Sequence, residues 1–265
     1  MPKKLGLALG SGGARGIAHV GFLQALDEAG VKADFVTGCS MGSVVGACYC
    51  AGVPVAEMKK RALGLKLSQI ATLNVAPIHA NGLFRLNKTR KLLAELMGDK
   101  NFDELEIPFC CVATDLFEGK VVELKEGSVI DAVIASSAMP GAFVPVEKGN
   151  MRLVDGGITE RVPTRELRAM GAEVVVAVDV LGDLMQKRLT SNLVDTLLRC
   201  VDIMDTRQTQ SKKRSRARSV DLWLEPELGE MSQYNVKAKN LAFAYEKGYE
   251  LGLANAEKIK KLTEE

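Results

Sequence analysis

Histidine is nearly absent: the 265 residues hold two, His19 and His79, too few to favour a zinc site. Six cysteines (Cys39, Cys48, Cys50, Cys110, Cys111, Cys200) form no CxxC pair and no regular framework. That excludes a disulfide-stapled scaffold and reads as free, mostly buried thiols in a reducing cytoplasm. Aromatics are only 5 %, and 35 Lys+Arg against 33 Asp+Glu leave a net charge of +2. Few stacking platforms and no basic field argue against a nucleic-acid partner. No stretch approaches the ~20 apolar residues of a membrane span. The basic start Met1-Pro2-Lys3-Lys4 precedes only Leu5–Leu9 before glycine, shorter than the ~7–15 apolar residues of a secretory signal. A cytoplasmic protein is expected, with peripheral contact at the inner membrane face left open.

What remains is an ordinary globular balance, 47 % apolar and 26 % charged, with enough chain for a buried site. Leu5–Leu9 reads as a buried strand ending in glycines, followed by a helix over Ile17–Ala29 that Gly30 stops. Asp34–Thr37 reads as a second strand, and Ser43–Ala51 as a closely packed small-residue helix. Strand, glycine turn and helix thus occur twice within the first 52 residues. Later apolar runs (109–114, 121–124, 174–180, 220–224) alternate with helical stretches (92–97, 129–136, 190–213). That alternation predicts an α/β fold with a mostly parallel central sheet and helices on both faces. Without repeats, low-complexity segments or linkers, residues 1–265 read as one domain.

Gly10-Ser11-Gly12-Gly13-Ala14-Arg15-Gly16 lies where the first strand passes into the first helix. A dinucleotide fingerprint needs glycine where Arg15 stands, and a Walker loop needs a terminal Gly-Lys-Ser/Thr that is absent. Two readings remain: a tight turn without a ligand, or an oxyanion hole formed by the Gly12 and Gly13 amides. Gly38-Cys39-Ser40-Met41-Gly42 matches the nucleophile elbow G-x-S-x-G between strand and helix, which makes Ser40 a candidate nucleophile. A hydrolase triad of this kind runs serine, acid, histidine in chain order, yet only His79 follows Ser40. His79 sits in an apolar stretch between Pro77 and Gly82, and His19 falls in the first helix, where packing or solvent is its expected place. The alternative is a carboxylate acting directly on the serine. Asp155 is the best candidate, because Met151–Val154 reads as a strand that Asp155-Gly156-Gly157 ends. Taken alone, that run marks only a turn.

Taken together, LALGSGGARGIAHVGFLQAL, GCSMGSVVGA, ASSAMPGAFVPV and LVDGG, in this order across residues 5–180, resemble the patatin-like phospholipases. The bacterial members related to the neuropathy-target-esterase group are the most similar in this respect. The resemblance implies a Ser40–Asp155 dyad and an oxyanion hole at Gly12, Gly13 and the neighbouring amides of Ala14 and Arg15. It also implies that the Arg15 side chain holds the loop or a phosphate. Lipid acyl esters of phospholipids or lysophospholipids would be hydrolysed through an acyl-enzyme, without metal or other cofactor. Ser11 stands where a glycine is often found, and Glu160 where members commonly carry Asn. General carboxylesterase or acyltransferase chemistry on the same dyad, and a non-catalytic regulatory protein retaining the fold, are the competing functions.

Three further segments carry two readings each. Leu63–Phe84 is apolar without clean periodicity, suiting either a cap over an acyl-chain pocket or ordinary core. Lys212, Lys213, Arg214, Arg216 and Arg218 form either a solvated helix end or an attraction for anionic headgroups. Lys237–Leu262, with Leu241, Tyr245 and Tyr249 four apart, is expected to pack on the domain rather than anchor in a membrane.

Overall fold

Leu5, Leu7 and Leu9 alternate with Gly6 and Ala8 along the first strand, so one face of that strand is bulky and the other small. The three leucines enter the larger apolar cluster and Ala8 the smaller one on the opposite face. Everything else is arranged around this division. The computed structural model describes residues 2–65, 72–73, 82–183 and 193–264.

The chain begins β1 (Leu5–Leu9), a 3₁₀ turn at Gly13–Ile17, α1 (Ala18–Glu28), β2 (Phe35–Cys39) and α2 (Met41–Cys50). Next come α3 (Val55–Leu63), β3 (Thr72–Leu73), β4 (Gly82–Arg85), α4 (Asn87–Met97), β5 (Phe109–Asp115) and β6 (Lys120–Leu124). Then follow α5 (Val129–Ser136), β7 (Gly141–Phe143), β8 (Val146–Lys148), β9 (Met151–Asp155) and α6 (Thr164–Met170). The last elements are β10 (Val174–Val178), α7 (Leu193–Ser215), β11 (Leu222–Leu224) and α8 (Ala238–Glu264). The two strand–turn–helix units read from the sequence are present, the second helix starting two residues earlier than expected.

The main sheet has eight strands in the order β11-β10-β1-β2-β5-β9-β8, with β6 also on β5. From β11 to β5 all pairs are parallel, the mostly parallel sheet expected. At the β5 end, β6, β9 and β8 join antiparallel, which periodicity does not reveal. Helices α1, α2, α3, α4, α5 and α8 contribute to the larger cluster on one face, while Leu167 of α6 packs in the smaller cluster on the other. A separate sheet joins β3, β4 and β7. Most of Leu63–Phe84, His79 included, lies outside the described residues, so neither reading of that stretch is developed further.

The register around β5 decides the rest. Cys111 faces Gly38 of β2 and Leu124 of β6, so these strands flank β5 on opposite edges. Ala113 faces Val122 of β6 and Asp155 of β9, so β9 also lies opposite β6, on the edge used by β2. β2 runs with β5 and ends at Cys39 opposite Val112; β9 runs against it and ends at Asp155 opposite Ala113. The two strands therefore meet end to end.

α8 lies along α1 as its spacing predicts: Leu241 and Tyr245 are buried, and the Tyr249 hydroxyl donates to Glu28 Oε2 at 2.6 Å. Close approach is possible because Gly21 and Gly248 have no side chain. A Cβ on Gly248 would run into the Ala18 carbonyl, and one on Gly21 into that of Tyr245. Gly248→Leu is expected to lower stability by about 1–3 kcal/mol or more by overpacking this interface, read as a lower urea midpoint.

Candidate active site

Ser40 occupies the turn between β2 and α2 with φ 51° and ψ −121°, the only non-glycine residue at positive φ among those described. An L-residue held there stores backbone strain, which persists only where the surroundings over-determine it. The flanking glycines supply the room. A Cβ on Gly38 would stand 2.6 Å from Ser43 Cα, and one on Gly42 would overlap the carbonyls of Leu9 and Gly10. The Ser40 N–H donates to Ser136 Oγ at 3.0 Å, and the Ser43 hydroxyl donates to the Ser40 carbonyl at 2.6 Å. The nucleophile candidate is thus pinned by α5 and by its own helix.

Across the strand junction, the Ser40 hydroxyl donates to Asp155 Oδ2 at 2.6 Å, although the two residues are 115 apart in the chain. The other carboxylate oxygen, Oδ1, accepts the Gly157 N–H at 2.8 Å and the Cys39 thiol at 3.8 Å. Oδ1 is therefore held by the protein while Oδ2 is presented to the serine. Behind it, the Thr114 hydroxyl donates to the Asp155 carbonyl at 3.1 Å, and the Asp155 N–H donates to Ala138 O at 3.0 Å. Burial raises the Asp155 pKa from the ordinary carboxylate range to about 6, against the lowering effect of the Ser40 and Gly157 hydrogen bonds. Burial, with Asp155 beside it, also pushes the Cys39 thiol well up, so that it remains an S–H donor.

The glycine loop approaches from the end of β1. Met41, the residue after Ser40, lies so close to Gly16 that a Cβ there would overlap the methionine side chain. The loop is fixed by its first two amides, Gly10 to Val178 O at 3.0 Å and Ser11 to Arg161 O at 2.9 Å. The Ala14 amide donates to Gln233 O at 2.8 Å and the Arg15 amide to Gly12 O at 3.0 Å. Neither of the latter two is available to a ligand in this arrangement. Among the described residues, the Gly12 and Gly13 amides have no protein acceptor, so the loop offers two of the four donors named from the sequence. The Arg15 side chain is buried, donating to the carbonyls of Leu181 (3.2 Å) and Gly229 (3.3 Å). It ties the loop to neighbouring segments. His19 is fully buried, and that burial lowers its pKa to about 4, which leaves the ring neutral. Its Nε2 lies 2.8 Å from the Gly10 carbonyl and must carry the proton to bond it. His19 therefore braces the loop and does not face solvent.

Around Asp155 the structure holds charged residues that sequence reading did not single out. Arg161 is buried between Asp179 (2.6 Å) and Asp205 (2.7 Å). Burial opposes its charge, and the two carboxylates outweigh that and raise its pKa. Asp179 directly follows the apolar strand β10, the same strand-end placement as Asp155, and that was the available signal. Glu160, the departure from the family pattern, accepts both arms of Arg216 (2.9 and 2.8 Å) and Lys212 at 3.2 Å. Lys212 and Gln208 also donate to the Thr159 carbonyl. The basic cluster at the end of α7 is therefore divided: Lys212 and Arg216 pair with buried Glu160, Lys213 pairs with Glu225 at the surface, and Arg214 and Arg218 are exposed. Neither a freely solvated helix end nor a five-residue headgroup patch describes it. Five cysteines are buried and free, and Cys200 is exposed.

Comparison with known proteins adds the family. Residues 7–168 match the model described as patatin-like phospholipase. An uncharacterized NTE family protein of Mycobacterium tuberculosis is 38 % identical over 179 residues, covering 68 % of this chain and 49 % of the relative. Human patatin-like phospholipase domain-containing protein 6 is 34 % identical, over 66 % of this chain and 13 % of its own. Lysophospholipase nte1 of Aspergillus fumigatus is 32 % identical, over 67 % and 12 %. These matches span at most about half the length of the curated relatives. VipD from Legionella pneumophila superposes with a TM-score of 0.67 at 15 % identity, over 99 % of this chain and 67 % of that one. The type III effector ExoU does so at 0.54 and 14 %, over 98 % and 54 %. The chain belongs to the patatin-like phospholipase family.

Proposed function

We propose that the protein is a serine hydrolase of phospholipid or lysophospholipid acyl esters, with Ser40 as nucleophile and Asp155 as its base. The observation that carries this reading is the 2.6 Å hydrogen bond from the Ser40 hydroxyl to a buried carboxylate. Family membership and a relative named as a lysophospholipase support the substrate class.

In this mechanism Ser40 Oγ attacks the ester carbonyl while Asp155 Oδ2 takes the hydroxyl proton. The negative oxygen of the tetrahedral intermediate is held by the Gly12 and Gly13 amides, each such donor worth on the order of 10²–10³ in rate. Collapse breaks the bond to the alcohol, which leaves with the proton from Asp155, and the acyl group stays on Ser40. Asp155 then deprotonates water, which attacks the acyl-enzyme and releases the fatty acid with Ser40 restored. A carboxylate that ionises near neutrality suits both directions of transfer, because a base far below the working pH is too weak. No histidine is needed in this scheme. Asp155 is both desolvated and already bonded to the serine.

Ser40→Ala and Asp155→Asn are each expected to reduce hydrolysis of lysophospholipid and short-chain esters by about 10⁴-fold or more while circular dichroism is unchanged. A fluorophosphonate should label Ser40 in the wild type, and turnover by either folded variant at the wild-type rate refutes the dyad. Since the base must be ionised, kcat/KM should fall with unit slope as pH drops below about 6 and level off above it. A profile flat from pH 5 to 8 is the contrary result.

A further inference from the structure

α7 is inside out. Its inward residues Asp202, Thr206 and Thr209 are buried and polar. Its outward face exposes Leu197 (57 %), Val201 (45 %) and Met204 (71 %), at helical spacing on one stripe. A surface helix normally does the reverse, burying its apolar stripe and leaving polar groups in water. The inward polarity has an evident partner set: Asp205 pairs with Arg161, and Asp202 accepts from Gln233 Nε2 at 2.9 Å. The outward stripe has no covering group within the described chain.

We infer that the outward face of α7 docks on an anionic lipid surface. The identity of this occupant rests on the lipid-ester reading of the Ser40–Asp155 site. Three observations favour a bilayer. The two carboxylates Asp202 and Asp205 are turned towards the protein, which leaves the described outward face without a negative charge. Arg207 and Arg214, seven residues apart and both exposed, lie along one side of the stripe and have no carboxylate partner among the described residues. Together they give the apolar-plus-basic composition that binds headgroup and acyl boundary. Finally, α7 packs on the turn that follows Asp155, where Ile158 is also exposed, so the docked helix is in contact with a segment of the candidate site. A second copy fits less well. A two-fold contact through this stripe would set like arginines near one another, and three side chains fall short of the roughly 1,200 Å² of a stable interface.

The test is flotation of the full chain with phosphatidylcholine vesicles, with and without phosphatidylglycerol, at low and high salt. Wild type should float with the phosphatidylglycerol vesicles and less so as salt rises. The triple variant Leu197→Ser, Val201→Ser, Met204→Ser should partition at least about tenfold more weakly, from the lost apolar burial. Arg207→Glu with Arg214→Glu should lose the preference for phosphatidylglycerol. Hydrolysis of a water-soluble short-chain ester should be the same in all of them, whereas hydrolysis of vesicle lipid falls with binding. Equal vesicle binding by wild type and the triple variant overturns the proposal. So does a wild-type dimer in sedimentation velocity that the triple variant splits, without vesicle binding by either. A protein that floats as described but hydrolyses no ester leaves the docking face standing and removes the enzymatic reading instead.

Discussion

The structure depends on two strands sharing one edge of β5. β2 supplies that edge as far as Val112, β9 from Ala113 onward, and the two approach from opposite directions. Strand ends that meet in this way bring together the residues that terminate them, here Ser40 and Asp155. Because β6 occupies the whole opposite edge of the same stretch, β9 has no other place to pair there. The hydrogen bond between hydroxyl and carboxylate follows from register, and so do the desolvation of Asp155 and the closeness of the glycine loop.

Holding these groups has energetic consequences nearby. Ser40 sits in a strained conformation and Asp155 in a buried one, each worth on the order of 1–3 kcal/mol unless compensated. Compensation is local: Gly157, Cys39, Thr114 and Ser136 supply hydrogen bonds, and the two elbow glycines supply space. A second layer joins the segment after Asp155 to α7 through Arg161–Asp205, Arg216–Glu160 and Lys212–Glu160. Breaking one partner of such buried pairs leaves an uncompensated charge, so the polar inner face of α7 is committed. Its apolar residues are then left on the outside. The unusual surface of that helix is a consequence of the network beneath it.

Much of the candidate site is legible in the residues. Ser40 announced itself through glycines two positions to either side between strand and helix, and those glycines prove to be the positions where a Cβ has no room. The lack of a suitable histidine was equally informative, since His19 is buried as a brace for Gly10. Asp155 was legible only in combination, because an Asp-Gly-Gly turn has the same composition whether or not a serine lies opposite. The resemblance implies four loop donors, and two of these amides, Ala14 and Arg15, are taken by protein carbonyls. Whether an amide is free depends on distant acceptors, and the Gln233 carbonyl that takes the Ala14 amide is more than two hundred residues away.

The sequence by itself determined the alternation of strands and helices, the elbow, the glycine loop and the shortage of bases, because backbone sterics and hydrophobic period act over a few residues. Only the tertiary structure decided that β6, β8 and β9 run antiparallel and which loop amides stay open. It alone turned Lys212 and Arg216 onto Glu160. These outcomes depend on pairing across long chain separations, where register and burial, not local preference, choose each group's partner.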